Sequence, residues 1–298
     1  MKKLVTLALI NPISGTGKQK GIANRLKTHL DKDKFILDVR ETEYAGHAIE
    51  LSKEAANNGV DVVIAVGGDG TVNEVAQGLL HSNTAMAIIP CGSGNGFARH
   101  LGISCSPFKA ISQLNSMVSC LVDTLQVNDH LSVNVSGVGY DAYISHEFAK
   151  MNSRGLSSYI RAILTSYFSY NDRNYTLTIN DRREELQAFM VSFANSSQFG
   201  NNAFIAPNAS LQDGKFNISV IKKPRWFEIP YLTYSLFMKK LDKCGIYNSY
   251  ECDSCIVEQP DTILHVDGEP VESDSVLKIE LLNKSLNVMV PESMKQIV

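Results

Sequence analysis

The chain has 298 residues, 44% hydrophobic and 20% charged, with 20 Gly and 9 Pro. This ordinary globular composition excludes disordered, collagen-like and low-complexity structure, and at about 150 residues per domain it predicts two domains with sizeable cores. Against 31 Asp and Glu stand 28 Lys and Arg, a net charge of −3, so there is no global basic field for a nucleic-acid backbone and no nucleic-acid partner is expected.

Met1-Lys2-Lys3 ahead of a short apolar run resembles a signal peptide only superficially, because the run meets Asn11-Pro12 where a small-residue cleavage site belongs. It reads as a strand of a cytoplasmic protein. No apolar run approaches the roughly 18 to 20 residues that span a bilayer. Six Cys do not make a disulfide framework, and reduced thiols are expected. Cys252-Asp253-Ser254-Cys255 has ligand-like spacing but lacks a second pair, so zinc is not expected there.

The first third alternates strands (5–10, 35–40, 62–66, 85–89) with helices (18–30, 47–57, 71–81, 96–100), the pattern of a parallel sheet wound by helices. Near Asp123 the texture changes to shorter runs at 131–135, 175–179, 188–194, 216–221, 262–266 and 277–282, with helices at 157–168 and 226–241. The expected fold is α/β: an N-terminal doubly wound α/β domain over 1–125, then a mainly antiparallel domain over 126–298, its last strand free to return to the first domain.

Three of the early strands run into glycine-rich loops: Asn11-Pro12-Ile13-Ser14-Gly15-Thr16-Gly17, Gly67-Gly68-Asp69-Gly70-Thr71 and Cys91-Gly92-Ser93-Gly94-Asn95-Gly96. In an open α/β sheet such loops gather at one carboxyl edge, where ligands bind. Glycine lets backbone N–H groups approach an anion, and a following helix N-terminus adds positive potential, so phosphate is the expected guest. The loops are not a P-loop, since Gln19 follows Gly17-Lys18, and not a dinucleotide fingerprint, since Gly15, Gly17 and Gly21 are spaced GxGxxxG. A carboxylate such as Asp69 tolerates phosphate only with a divalent cation between them, which implies Mg²⁺ with a nucleotide; the alternative role is an N-cap for its own helix. Glu74, one turn in, either completes a capping box or helps organise the metal-water shell.

Gly67-Gly68-Asp69-Gly70-Thr71-Val72-Asn73-Glu74-Val75, preceded by Asn11-Pro12-Ile13-Ser14-Gly15, resembles the diacylglycerol kinase and sphingosine kinase family of lipid kinases. The resemblance continues in order through Thr42, Gly46-His47-Ala48, the stretches 90–98 and 134–142, Leu211-Gln212-Asp213-Gly214 and Asp267-Gly268-Glu269. It implies an ATP site between a nucleotide-binding α/β domain over 1–125 and a β-sandwich lipid-substrate domain over 126–298, with phosphoryl transfer to a lipid hydroxyl. ATP would be held by Asn11, Pro12, Ile13, Ser14, Gly15, Thr42, Gly67, Gly68, Asp69, Gly70, Thr71, Asn73, Glu74 and Ser93. Asp69 would organise catalytic Mg²⁺ through water, and Glu269 would accept the hydroxyl proton from the tip of a hairpin turn. Asp213, with the carbonyls of Ser210 and Lys215, would hold a second, structural Mg²⁺.

The acceptor implied is diacylglycerol, giving phosphatidic acid. The alternatives are a sphingoid or ceramide-type lipid, a soluble NAD kinase-like reaction, and a non-catalytic lipid-binding pseudokinase. Gly96 stands where many bacterial diacylglycerol kinases carry Asp, and Ser145 stands near the place of the carboxylate with which sphingosine kinases receive an ammonium; Asp141 or Glu147 could substitute. The expected partners are ATP and a membrane lipid met by peripheral contact, with a homodimer left open. For that contact the segment 226–243 is the candidate. Phe227, Tyr231, Tyr234, Met238 and Leu241 recur at the spacing of one helical face, with Lys239, Lys240 and Lys243 off it, and that face either meets the membrane or packs on the second domain.

Overall fold

The computed structural model describes residues 2–13, 19, 21–150, 161 and 163–295. The chain divides into two compact units, one formed by Met1–Asp123 with Asn283–Val298 and the other by Thr124–Leu282.

The first unit is a parallel sheet of β1 (Leu4–Ile10), β2 (Phe35–Glu41), β3 (Val62–Gly67) and β4 (Ala85–Pro90) in the order β2-β1-β3-β4. Strands β3 and β4 are buried at every position, as continuous apolar runs under helices should be. Its helices are α1 (Ile22–His29), α2 (His47–Asn57), α3 (Asp69–Leu79), α4 (Gly96–His100) and α5 (Pro107–Leu114). Helix α2 packs on α3 and α1 packs on α5. The α2–α3 contact is close enough that a Cβ on Gly78 would stand 2.0 Å from Ser52 Oγ. Helix α5, absent from the sequence expectation, starts at Pro107, whose fixed φ suits a first turn, and buries Ala110, Ile111 and Leu114. Beyond β4 the sheet gains the end of β16 (Val276–Pro291), pairing in parallel at Val288 and Met86.

The second unit is a sandwich. One sheet runs β12 (Tyr247–Cys252), β11 (Phe216–Ile221), β10 (Met190–Ala194), β7 (Val135–Gly139), β14 (Ile263–Val266), β15 (Glu269–Glu272), antiparallel throughout. The other joins the start of β16 to β13 (Ser254–Glu258), β8 (Arg173–Ile179) and β9 (Arg182–Ala188), with the end of β5 (Met117–Val127) paired to β6 (His130–Ser132). Val138, Phe193, Phe216, Ile218 and Leu264 from one sheet meet Tyr175, Leu177, Val257, Leu277 and Ile279 from the other in one core. Helices α6 (Tyr140–Lys150) and α7 (Ile229–Phe237) belong to this unit.

Several expected elements divide differently. The run 188–194 belongs to β9 and β10, 131–135 to β6 and β7, and 277–282 is part of a 16-residue strand. Much of the helix expected over 157–168 and the start of that over 18–30 lie outside the described residues. The helix expected over 226–241 is reduced to α7, because Lys239 adopts φ 55° and ends it. The five-residue face therefore does not form. Leu241 is buried in a separate turn, while Phe227, Tyr231, Tyr234 and Met238 are exposed and Leu232 and Leu236 pack inward in their place.

Candidate active site

From β1 the chain turns to β2 on one side, and from β3 to β4 on the other. The β1/β3 boundary is thus the switch point of the sheet, outside whose carboxyl ends ligands of open α/β sheets bind. Side chains tie the loops together there. Asn11 donates from Nδ2 to Thr71 Oγ1 at 3.1 Å, joining the end of β1 to the first turn of α3, and its Oδ1 accepts the Ile13 N–H at 3.1 Å. Glycine is required by contact: a Cβ on Gly67 would lie 2.4 Å from Thr71 Oγ1, and one on Gly92 would lie 2.8 Å from Gly68 Cα. The second and third loops touch backbone to backbone.

Asp69 is the first residue of α3, one past the N-cap position, which Gly68 holds. Its carboxylate accepts the N–H of Asn95 at 2.9 Å on Oδ2 and that of Gly96 at 3.0 Å on Oδ1. Gly96, which lacks the family carboxylate, thus contributes through its amide. Asn95 was not singled out by the sequence, yet it closes the third loop. Buried and left-handed at φ 52°, it accepts Gly92 N–H on Oδ1 at 3.0 Å and donates from Nδ2 to Gly92 O at 2.8 Å.

Glu74 does not close a capping box on its own helix. Its Oε1 accepts Gly46 N–H at 3.0 Å and its Oε2 accepts Ala48 N–H at 3.3 Å, so it caps the N-terminus of α2 from a neighbouring helix. Thr42 is buried, its N–H donating to Ile10 O at 2.9 Å. Asn73 accepts from Gln77 Nε2 at 2.7 Å one turn on. Pro12, Ile13 and Ser93 are exposed, and Ser14 and Gly15 lie outside the described residues. Gly70 follows Asp69 in the first turn of α3.

In the second unit Asp267 and Gly268, at φ 51° and 91°, form the two-residue turn between β14 and β15, the geometry of a tight hairpin. Glu269 follows at the tip, exposed. The turn is anchored from below. Asp267 accepts Ser132 Oγ–H at 2.7 Å, Val133 N–H at 3.0 Å and Asn134 N–H at 2.9 Å, and Gly268 N–H donates to His265 Nδ1 at 3.2 Å. His265 Nε2 meets buried Asp141 at 3.1 Å, and Ser192 Oγ donates to the same oxygen at 3.1 Å.

Asp213 is exposed and accepts Lys215 N–H at 3.0 Å across a turn in which Gly214 has φ 72°. With the carbonyls of Ser210 and Lys215 it would offer three hard oxygens, a donor set that suits Mg²⁺ completed by water. Among the described residues no group of three or more His, Cys, Asp or Glu could hold a metal, and Cys252 and Cys255 are buried free thiols.

Residues 5–127 match the diacylglycerol kinase catalytic domain, and residues 134–290 match the YegS C-terminal NAD kinase beta sandwich-like domain. A diacylglycerol kinase of Bacillus subtilis is 30% identical over 72% of this chain and 73% of its own length. A relative in Alcanivorax borkumensis named "Probable lipid kinase YegS-like" is 28% identical over 86% of this chain and 87% of its own. The crystal structure of a diacylglycerol kinase from Bacillus anthracis has the same fold, with a TM-score of 0.74 at 22% identity, over 98% of this chain and 99% of that one. With both parts of the chain matched in order, and a relative at this identity over most of its length, the chain belongs to the diacylglycerol kinase and YegS-like family of lipid kinases.

Proposed function

We propose that the protein transfers the γ-phosphoryl group of Mg-ATP to the hydroxyl of diacylglycerol, giving ADP and phosphatidic acid. The observation that carries the nucleotide part is the joining of the glycine loops at the switch point, with the Asp69 carboxylate held by the amides of Asn95 and Gly96. The N-terminus of α3 would turn its amides and its positive potential toward phosphate oxygens. Asn11, Thr42, Thr71 and Asn73 would orient the nucleotide around them.

The Asp69 carboxylate, fixed by the two amides, suits a cation held through water. Mg²⁺ would supply neutralisation of the charge on the phosphates. Glu269 would take the proton of the lipid hydroxyl as its oxygen attacks the γ-phosphorus and the bond to the β-phosphate oxygen breaks. The anchored turn gives that carboxylate a fixed base.

Diacylglycerol is favoured over a sphingoid base because the two carboxylates that could stand in for one at Ser145 are both engaged. Asp141 is buried against His265 and Ser192, and Glu147 accepts from Lys150 Nζ at 2.9 Å. Neither is held out for an ammonium. ATP as donor puts the reaction on the cytoplasmic side of a membrane that the enzyme meets peripherally; among the described residues no helix is long and apolar enough to cross one. Incubating the purified chain with radiolabelled ATP, Mg²⁺ and a mixed lipid extract, then separating products by thin-layer chromatography, tests the reading. Labelled phosphatidic acid is expected. A labelled sphingoid phosphate in its place would reassign the acceptor, and label in no lipid would overturn the proposal.

A further inference from the structure

Helix α7 is short, about 13 Å at 1.5 Å per residue, and carries its apolar side chains on two sides. Leu232 and Leu236 pack inward with Ile205, Ile221 and Leu241. On the outside Trp226, Phe227, Tyr231, Tyr234, Phe237 and Met238 are all exposed, Trp226 at 73%. The turn around Tyr167 joins this surface, since the Tyr167 hydroxyl donates to Pro224 O, and exposed Leu164 and Phe168 flank it. An exposed apolar patch of this concentration marks an interaction surface.

Cations surround the patch and use the rings as supports. Lys240 Nζ lies 5.2 Å from the Tyr234 ring centroid and donates to its hydroxyl at 3.0 Å, Arg225 lies 5.9 Å from Phe227, and Lys239 lies 4.4 Å from Phe204. Between residues 222 and 243, Lys222, Lys223, Arg225, Lys239, Lys240 and Lys243 stand against Glu228 and Asp242, a local charge of +4 in a chain of net −3.

We propose that the Trp226–Met238 surface docks the enzyme on anionic lipid bilayers, its rings in the headgroup and upper acyl region and its cations on lipid phosphates. Trp and Tyr suit that depth because each has an apolar body and a polar tip, and a basic rim adds attraction to anionic headgroups. The helix is too short to insert across a bilayer, so it lies along the surface. This inference rests on the acceptor being a membrane lipid, which requires the enzyme to reach its substrate at the interface.

Trp226 is the only tryptophan of the chain and so reports on the patch directly. The purified full chain is titrated with phosphatidylcholine vesicles and with equimolar phosphatidylcholine–phosphatidylglycerol vesicles, with and without brominated acyl chains. Binding with a blue shift and bromine quenching is expected on the anionic vesicles alone. Reversing Lys239, Lys240 and Lys243 to Glu, or changing Phe227, Tyr231 and Phe237 to Ser, should weaken partition by about tenfold or more with little change in melting temperature.

Unquenched Trp226 emission on anionic vesicles overturns the proposal. So does a blue shift that grows with protein concentration in the absence of lipid and accompanies a dimer in sedimentation, which would give the patch to a second copy. Phosphorylation of a water-dispersed short-chain diacylglycerol is measured in parallel. Activity without docking removes this inference alone, and docking without activity removes the kinase reading alone.

Discussion

His265 Nε2 lies 3.1 Å from Asp141 Oδ2 while Nδ1 of the same ring faces the Gly268 N–H, so one buried imidazole links a buried carboxylate to the turn that carries Glu269. The amide of Gly268 can only donate, which fixes Nδ1 as acceptor and places the ring proton on Nε2, toward Asp141. Ser192 donates to the same carboxylate oxygen.

Removing the ring leaves Asp141 short of a donor in a buried place and frees Gly268. His265→Ala should cost about 1 to 3 kcal/mol of stability, read as a lower urea midpoint. Turnover with lipid should fall as well, while the KM for ATP stays near wild type, because the ring touches the turn and none of the nucleotide loops. An equal rise in the ATP KM would count against a positioning role.

Asp69→Asn keeps the size of the side chain but sets an amide NH₂ against one of the two backbone donors. Phosphorylation should fall by about a hundredfold or more. Hydrogen exchange at the amides of Asn95 and Gly96 should accelerate, because those are the groups the carboxylate holds. Unchanged exchange at both positions would refute this account of the loop.

For Glu269→Gln the prediction is separation of binding from chemistry. The side chain is exposed at the start of β15, so folding should be untouched and Mg-ATP should bind as before by calorimetry. Turnover should fall by about 10²- to 10⁴-fold. Near wild-type turnover with lipid would remove Glu269 from the proton-transfer role.

Gly67 and Gly92 should resist alanine, because the added Cβ would overlap Thr71 in one case and the Gly68 backbone in the other. A loss of about 1 to 3 kcal/mol is expected for each, together with impaired nucleotide binding. Gly245→Ala is the control: nothing lies within 4 Å of its Cβ position, and its melting temperature should be unchanged or slightly raised.

Thiol chemistry should be confined to one position. Five of the six cysteines are buried and Cys105 is partly exposed. The hydrogen bond with Cys252, followed by burial, pushes the Cys255 thiol far above its usual range, so it carries almost no thiolate at neutral pH. Titration of native protein with an aromatic disulfide reagent should release a single fast equivalent, assigned to Cys105 by peptide mapping, with the rest appearing on denaturation.

Local patterning along the chain carries the local terms of this fold. Continuous apolar runs marked β1, β3 and β4, glycine and helical spacing marked α2 and α4, and the α/β-then-antiparallel class followed from the change of texture along the chain. The glycine loops and the Asp267-Gly268 turn were legible because positive φ and close backbone approach restrict the residue type wherever the loop ends up. Partners were not legible. Asp69 meets amides 26 and 27 residues onward, Glu74 caps a helix that precedes its own, and His265 reaches Asp141 across 124 residues. Charged and polar strands such as β9 and β12 show little periodicity, and α7 ends at Lys239 against its spacing. Periodicity records how one element is half-buried, whereas a carboxylate's partner and a helix's inward face are chosen by which elements dock beside it. That choice is made by packing of the whole unit, between residues far apart along the chain.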